Sequence, residues 1–239
     1  AAAAPRAAAS PRAAYPFGPG ERIEYVAKFG ILTVGSGSMS VAAIDTVRGV
    51  ETFVLQFHIE GGALMFSLND TLRSWVGTRD FISRRYRSDL REKNFQRSTV
   101  FEILPDSGYF RENDNPDRKP TVPEPLDDAA FFYFVRTTPL EVGKTYEYNR
   151  YFKKEKNPVR ITVLKREDYE MPDGSKVRTL VLHPLVDDNG MFSRRAQARL
   201  WLTDDARRLP VQIRSSFVFG TITLKVSQVT LAGNGGAAR

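Results

Sequence analysis

The sequence contains no cysteine. That excludes disulfides, thiolate-bound zinc, thiol catalysis and a lipid-modified N-terminal cysteine. Histidine is nearly absent too: His58 and His183 are the only two, far apart, each in a stretch that reads as strand. No H-E-x-x-H, G-x-S-x-G, P-loop or G-x-G-x-x-G pattern occurs. GSGSMS at 35–40 resembles a glycine-rich phosphate loop but lacks the lysine and the following helix. No run approaches eighteen consecutive apolar residues, so no helical membrane span is expected. Together these gaps point away from an enzyme and towards a chain without catalytic residues, cofactor or metal.

What is present is enough for one sizeable β-rich domain. The chain has 239 residues, 41% of them hydrophobic, with 16 phenylalanines to furnish a core. Residues 1–16 hold only Ala, Pro, Arg, Ser and one Tyr, and read as a disordered lead-in. An alanine-rich start suits a mature chain whose export signal has been removed. A single domain is expected over 17–231, and 232–239 reads as a disordered tail.

The formal charge is +7, with 25 Arg against 10 Lys. The densest basic stretch, 73–97, carries Arg84, Arg85, Arg87 and Arg91 with Asp80, Asp89 and Glu92 interleaved. It reads either as a docking face for an anionic partner or another envelope protein, or as a solvated sheet face. Nucleic acid is not expected as a partner, because no nucleic-acid-binding motif accompanies the charge.

Period-two alternation dominates the chain. In ERIEYVAKF, Ile23, Tyr25, Ala27 and Phe29 share one face; in TFVLQFHIE, Phe53, Leu55, Phe57 and Ile59 do. Gly35 and Gly37 suggest a bulge or a close backbone approach. Residues 113–125, with four prolines, read as a loop. LDDAAFFYFVRTTPL at 126–140 is the one convincing helix, capped by Asp127, apolar almost all round, and so expected to be enclosed. About ten to twelve strands around it predict a mainly β chain, a single antiparallel half-barrel or barrel enclosing one apolar helix.

Paired acids occur at Asp127-Asp128, Asp187-Asp188 and Asp204-Asp205. Neighbours on a strand face opposite ways, so adjacency does not supply the separation of an acid/base pair. The first pair starts a helix, the second opens an Asn-Gly turn without calcium-loop spacing, and the third sits in LWLTDDARRLPVQIRS between two alternating runs. That last stretch is expected to be a hairpin corner.

Five pieces of the chain then form a recognisable set: GERIEY at 20–25, the strand around Gly35, LDDAAFFYFVR at 126–136, P-L-x-x-G at 139–143 and WLTDDARRLPV at 201–211. They resemble a bacterial family of exported domains known only as a domain of unknown function, over about 16–231. The resemblance implies a periplasmic or envelope-associated β-rich protein and brings no catalytic residues. At fold level a curved sheet holding a helix is similar to the LolA and LolB lipoprotein carriers, whose concave face takes acyl chains. On that footing the expected ligand is a lipid, lipoprotein or other hydrophobic molecule. Phe57, Phe66, Trp75, Phe131 and Phe134 are candidate groove walls, each also an ordinary core residue.

Overall fold

Alternation of apolar and polar residues builds the molecule strand by strand, because each strand then has one face to bury. The computed structural model describes residues 14–63, 66–185, 197–217 and 220–233. Its strands are β1 Arg22–Phe29, β2 Leu32–Val47, β3 Val50–Ala63, β4 Phe66–Gly77, β5 Ser83–Glu92, β6 Phe95–Leu104 and β7 Tyr109–Glu112, then β8 Lys119–Pro120, β9 Thr145–Tyr148, β10 Val159–Glu170, β11 Lys176–Leu185, β12 Arg199–Thr203, β13 Pro210–Phe217 and β14 Gly220–Thr230. They form one antiparallel sheet in the order β8-β7-β6-β5-β4-β3-β2-β1-β14-β13-β12-β11-β10-β9. The fold is mainly β, as expected, with fourteen strands rather than ten to twelve. The sheet is an open ribbon: β8 and β9 are its ends and do not pair.

Bulges curve the ribbon, since an extra residue on one strand bends it and increases its twist. Register shifts interrupt β1–β14, β1–β2, β2–β3, β4–β5, β10–β11 and β12–β13. Gly35 sits where two backbones nearly touch; a Cβ there would lie 2.0 Å from the Glu60 carbonyl oxygen. Ile23, Tyr25, Met39, Leu55, Phe57, Ile161, Leu182, Leu200 and Ile213 all face the concave side and belong to one core.

Helix α1, Asp128–Phe134, fills that concavity and passes into a 3₁₀ turn, Val135–Thr137. Every residue from Ala129 to Phe134 is buried. The helix is therefore enclosed, though shorter than its fifteen-residue sequence pattern. Phe132 stacks on Phe57 at 4.9 Å between ring centroids.

The two ends of the ribbon are joined by loop rather than ladder. The Leu126 amide donates to the Arg150 carbonyl at 2.5 Å, the Phe152 amide to the Leu126 carbonyl at 2.9 Å, and the Thr121 hydroxyl to the Phe152 carbonyl at 2.7 Å. On the far flank of this segment the Ser83 amide donates to the Pro125 carbonyl at 2.8 Å. Phe152 plugs the seam, with its ring 5.1 Å from both Phe101 and Phe110 and 6.0 Å from Tyr86. So the proline-rich stretch expected to be loop supplies β8 and the strip that closes the gap.

One stretch sits differently from expectation. Tyr15, assigned to the lead-in, packs its ring 5.4 Å from Phe17, 5.7 Å from Phe53 and 5.3 Å from Phe81. The aromatic pair Tyr15–Phe17 anchors the start of the domain, which sparse composition upstream obscured. The Asp187-Asp188 turn lies outside the described residues.

Candidate functional site

The pieces of sequence that stood out separately meet around one guanidinium. Arg136, at the C-terminal end of the helical segment, is fully buried and forms a two-pronged ion pair with buried Glu21, at 2.6 and 3.0 Å. Its remaining N–H groups donate to the carbonyls of Pro16, at 3.0 Å, and Arg207, at 3.0 and 3.3 Å. Phe17 and Tyr133 flank it, their ring centroids 5.1 and 5.6 Å from the guanidinium carbon. A planar fork with five donors suits this position in a way that a lysine ammonium does not.

The corner at 201–211 fits against the same knot. The Thr203 hydroxyl donates to Asp205 at 2.7 Å and accepts the Leu209 amide at 2.9 Å. Asp205 also takes the amides of Arg207 and Arg208, at 3.1 and 3.0 Å, and pairs with the Arg207 side chain at 2.7 Å. Partial burial pushes its carboxyl up, but the bonds from Thr203, Arg207 and Arg208 outweigh it and hold the group below the usual range. The Arg208 guanidinium donates to the Thr138 carbonyl, and the Tyr25 hydroxyl to the Pro210 carbonyl at 2.8 Å. Asp204 is exposed and pairs with Arg166 at 2.6 Å. The stretch is a corner that locks helix, N-terminal segment and sheet together. Beside it lies an open cleft of about 650 Å³ lined by Tyr15, Arg136, Thr138 and Arg208 among others.

A second polar knot starts the helix. Asp127 is buried and caps the helix, accepting the Ala129 and Ala130 amides at 3.0 Å each on one oxygen and the Ser74 hydroxyl at 2.5 Å on the other. Burial raises its pKa to about 7, against the lowering effect of Ser74 and the Ala130 amide. Asp128 accepts the hydroxyls of Tyr86 and Tyr151, at 3.1 and 3.0 Å. Because Asp127 is raised in the folded state, its contribution to stability is complete below the unfolded value near 4. It is lost as pH climbs to about 7, a difference of about 2–4 kcal/mol. Asp127→Asn keeps the cap and cannot ionise. It is expected to match the wild type at pH 4 and exceed it by that amount at pH 8, in urea melts at both pH values.

The expected wall residues divide by strand face. Phe57, Phe131 and Phe134 are buried in the core around the helix. Trp75 is not with them. Its neighbours Ser74 and Val76 face inward, while Trp75 lies on the convex side, its indole N–H donating to Asp45 at 2.9 Å under the Arg85 guanidinium. Phe66 opens β4, and its side chain lies outside the described part.

Three of the four expected arginines of β5 are ion-paired. Arg84 is buried against Asp80 at 2.5 Å, Arg85 pairs with Glu102 at 2.6 Å and Arg87 with Asp89 at 2.8 Å. Only Arg91 of the four is exposed. Asp80, Glu102 and Asp89 thus pair three of these four arginines.

The histidines are also far apart, with five strands between β3 and β11. His58 bonds Thr71 at 3.0 Å and lies 3.6 Å from Glu60. His183 stands beside Arg199, and partial burial together with that charge holds its imidazole below the ordinary value. Among the described residues no group of three or more acidic or imidazole side chains is arranged to hold a metal. Among the described residues no helix is long and apolar enough to cross a membrane.

The fold and its buried knots define a β-barrel-like protein: a curved, open antiparallel ribbon wrapped on one helix. The chain belongs to the family described as "Protein of unknown function (DUF3108)", whose profile matches residues 24–227. Among solved structures it is similar to a β-barrel-like protein of the domain of unknown function DUF1849 from Brucella abortus. The TM-score is 0.56 at 7% sequence identity, over 92% of this chain and 100% of that one. At that identity the likeness concerns the fold alone. No curated protein matches the sequence.

Proposed function

We propose that the protein acts by binding rather than catalysis, as an exported bacterial envelope protein that takes an acyl chain or similar apolar ligand through the seam of its ribbon. One observation carries this reading. The two ends of the sheet meet over a strip of loop, beside a crevice lined by Leu126, Phe131, Phe134, Tyr148, Val159 and Arg150. Phe134 and Tyr148 meet edge to face at 4.9 Å, and Arg150 lies over the Phe134 ring at 5.0 Å. The crevice is about 10 Å³, roughly the room one water needs. A ligand must therefore part the seam to reach the aromatic interior.

Parting the seam breaks a few loop hydrogen bonds, whereas parting any paired strands breaks a whole ladder. Arg150 at the mouth supplies a cation for the head group of an anionic amphiphile. The test is native mass spectrometry and thermal melting of the full chain with a long-chain fatty acid and a neutral acyl glycerol. Saturable one-to-one binding with a rise in Tm is expected, because a ligand that binds only the folded state stabilises it. Arg150→Gln is expected to weaken the fatty acid alone. Unchanged melting and no bound mass with either compound would refute the proposal.

A further inference from the structure

A run of positive charge without carboxylate partners lies on the convex side of the sheet, several strands away from the β5 arginines that share that face. On the convex side, pairing places Lys28 of β1 opposite Thr223 of β14, Thr223 opposite Arg214 of β13, and Arg214 opposite Arg199 of β12. One row further along, Lys225 of β14 lies between Val26 and Gln212, with Trp201 beyond. Neither row contains a carboxylate across these four strands. None of Lys28, Lys225, Arg199 and Arg214 forms an ion pair among the described residues. The nearest acid on the convex face of β1, Glu24, is taken by Arg22 at 2.8 Å.

Elsewhere the sheet pairs such charges, as in Arg85–Glu102, Arg160–Glu147 and Arg178–Asp168. Arg199 and Arg214 face each other directly, and like charges so placed destabilise a sheet. Arg73 and Arg87 oppose each other in the same way, but Gln56 and Asp89 take their guanidinium groups, whereas no acid stands in the Arg199–Arg214 row across these strands.

At the same end of the same strands the β1–β2 hairpin carries the most exposed large apolar side chains of the described residues, Ile31 at 92% and Leu32 at 63%. Gly30, at φ +59°, makes the turn, and its amide donates to the Thr221 carbonyl at 3.0 Å. The Phe29 ring lies against Gly220, where a Cβ would come within 2.3 Å of it. The tip is therefore seated on a firm base. Residues in one row across an antiparallel sheet share one height, and the Lys28 row lies about two steps behind the Gly30–Ile31 turn, roughly 7 Å at the rise of a strand.

We infer that this end of the sheet docks on an anionic lipid bilayer, Ile31 and Leu32 entering the acyl region and Lys28, Arg214, Arg199 and Lys225 meeting phosphate head groups. A projecting apolar tip with a level cationic row behind it matches the sequence of layers a bilayer presents, apolar interior beneath charged head groups. A soluble polyanion would use the row and leave the tip in water. This surface is separate from the seam, so either reading can fail without the other.

The test is co-sedimentation of the full chain with vesicles of phosphatidylglycerol and phosphatidylcholine in equal parts, and of phosphatidylcholine alone. Binding to the anionic vesicles only, weakened by salt, is expected. Arg214→Gln with Lys225→Gln is expected to lower affinity about five-fold per charge removed. Ile31→Ser with Leu32→Ser is expected to lower it about tenfold or more, with unchanged Tm because both side chains are exposed. Lys176→Gln with Arg178→Gln removes the same charge from the opposite end of β11 and is expected to leave binding unchanged. The inference is overturned if anionic vesicles do not bring the protein down, or if the control pair weakens binding as much as the patch variants. It is also overturned if the tip variant binds vesicles like the wild type, which would make the row a site for soluble polyanions.

Discussion

Replacing Arg136 by alanine is expected to cost about 3–5 kcal/mol of folding stability and to lower Tm on the order of 10 °C. The reason is what stays behind. Glu21 is as buried as its partner, and its carboxylate loses both hydrogen bonds at once. The carbonyls of Pro16 and Arg207 lose their donors in the same step. Lysine is expected to rescue little, since one ammonium cannot bridge Glu21, Pro16 and Arg207 together.

A paired replacement separates charge burial from packing. Glu21→Leu with Arg136→Met removes both charges and keeps apolar volume, and is expected to recover most of the loss, as buried ion pairs often give little net stability over apolar pairs. Urea unfolding of the wild type, both single variants and the double variant measures it. A double variant no better than Arg136→Ala would show that the carbonyl bonds, not the stranded carboxylate, carry the effect.

This knot also shows what a sequence hides. The helix start at Asp127, the corner at 201–211 and the inward faces of β1 and β3 are local patterns, each readable within ten residues. The Glu21–Arg136 pair spans 115 positions, and nothing near either residue marks the other. Trp75, an aromatic expected at a groove wall or in the core, is placed by strand parity instead: Ser74, small and polar, faces in and donates to Asp127. The register shift after Trp75 places Arg84 at the bulge, where it is buried, so charge density along the strand does not show which arginines reach solvent. The unopposed row Lys28, Arg214 and Arg199 was invisible for the opposite reason. Its members lie on three separate strands, and only the register aligns them.

Phe152 is the other position where a large effect is expected, and the one that ties the fold to the seam. Its ring is fully buried against Tyr86, Phe101 and Phe110 of strands near one end of the ribbon, while its backbone belongs to the connection between β9 and β10 at the other. Phe152→Ala is expected to cost about 3–5 kcal/mol, the usual penalty for a cavity of that size. The loss should also be uneven. Seam amides such as Leu126 and Phe152 sit in isolated loop bonds, whereas the β2–β3 pair is a continuous ladder. Hydrogen exchange is expected to speed up at the seam under native conditions while β2 and β3 follow only the global change, because local opening draws on the weakest contacts first. Equal acceleration everywhere would mean that the ribbon opens as one unit and that the seam is no gate.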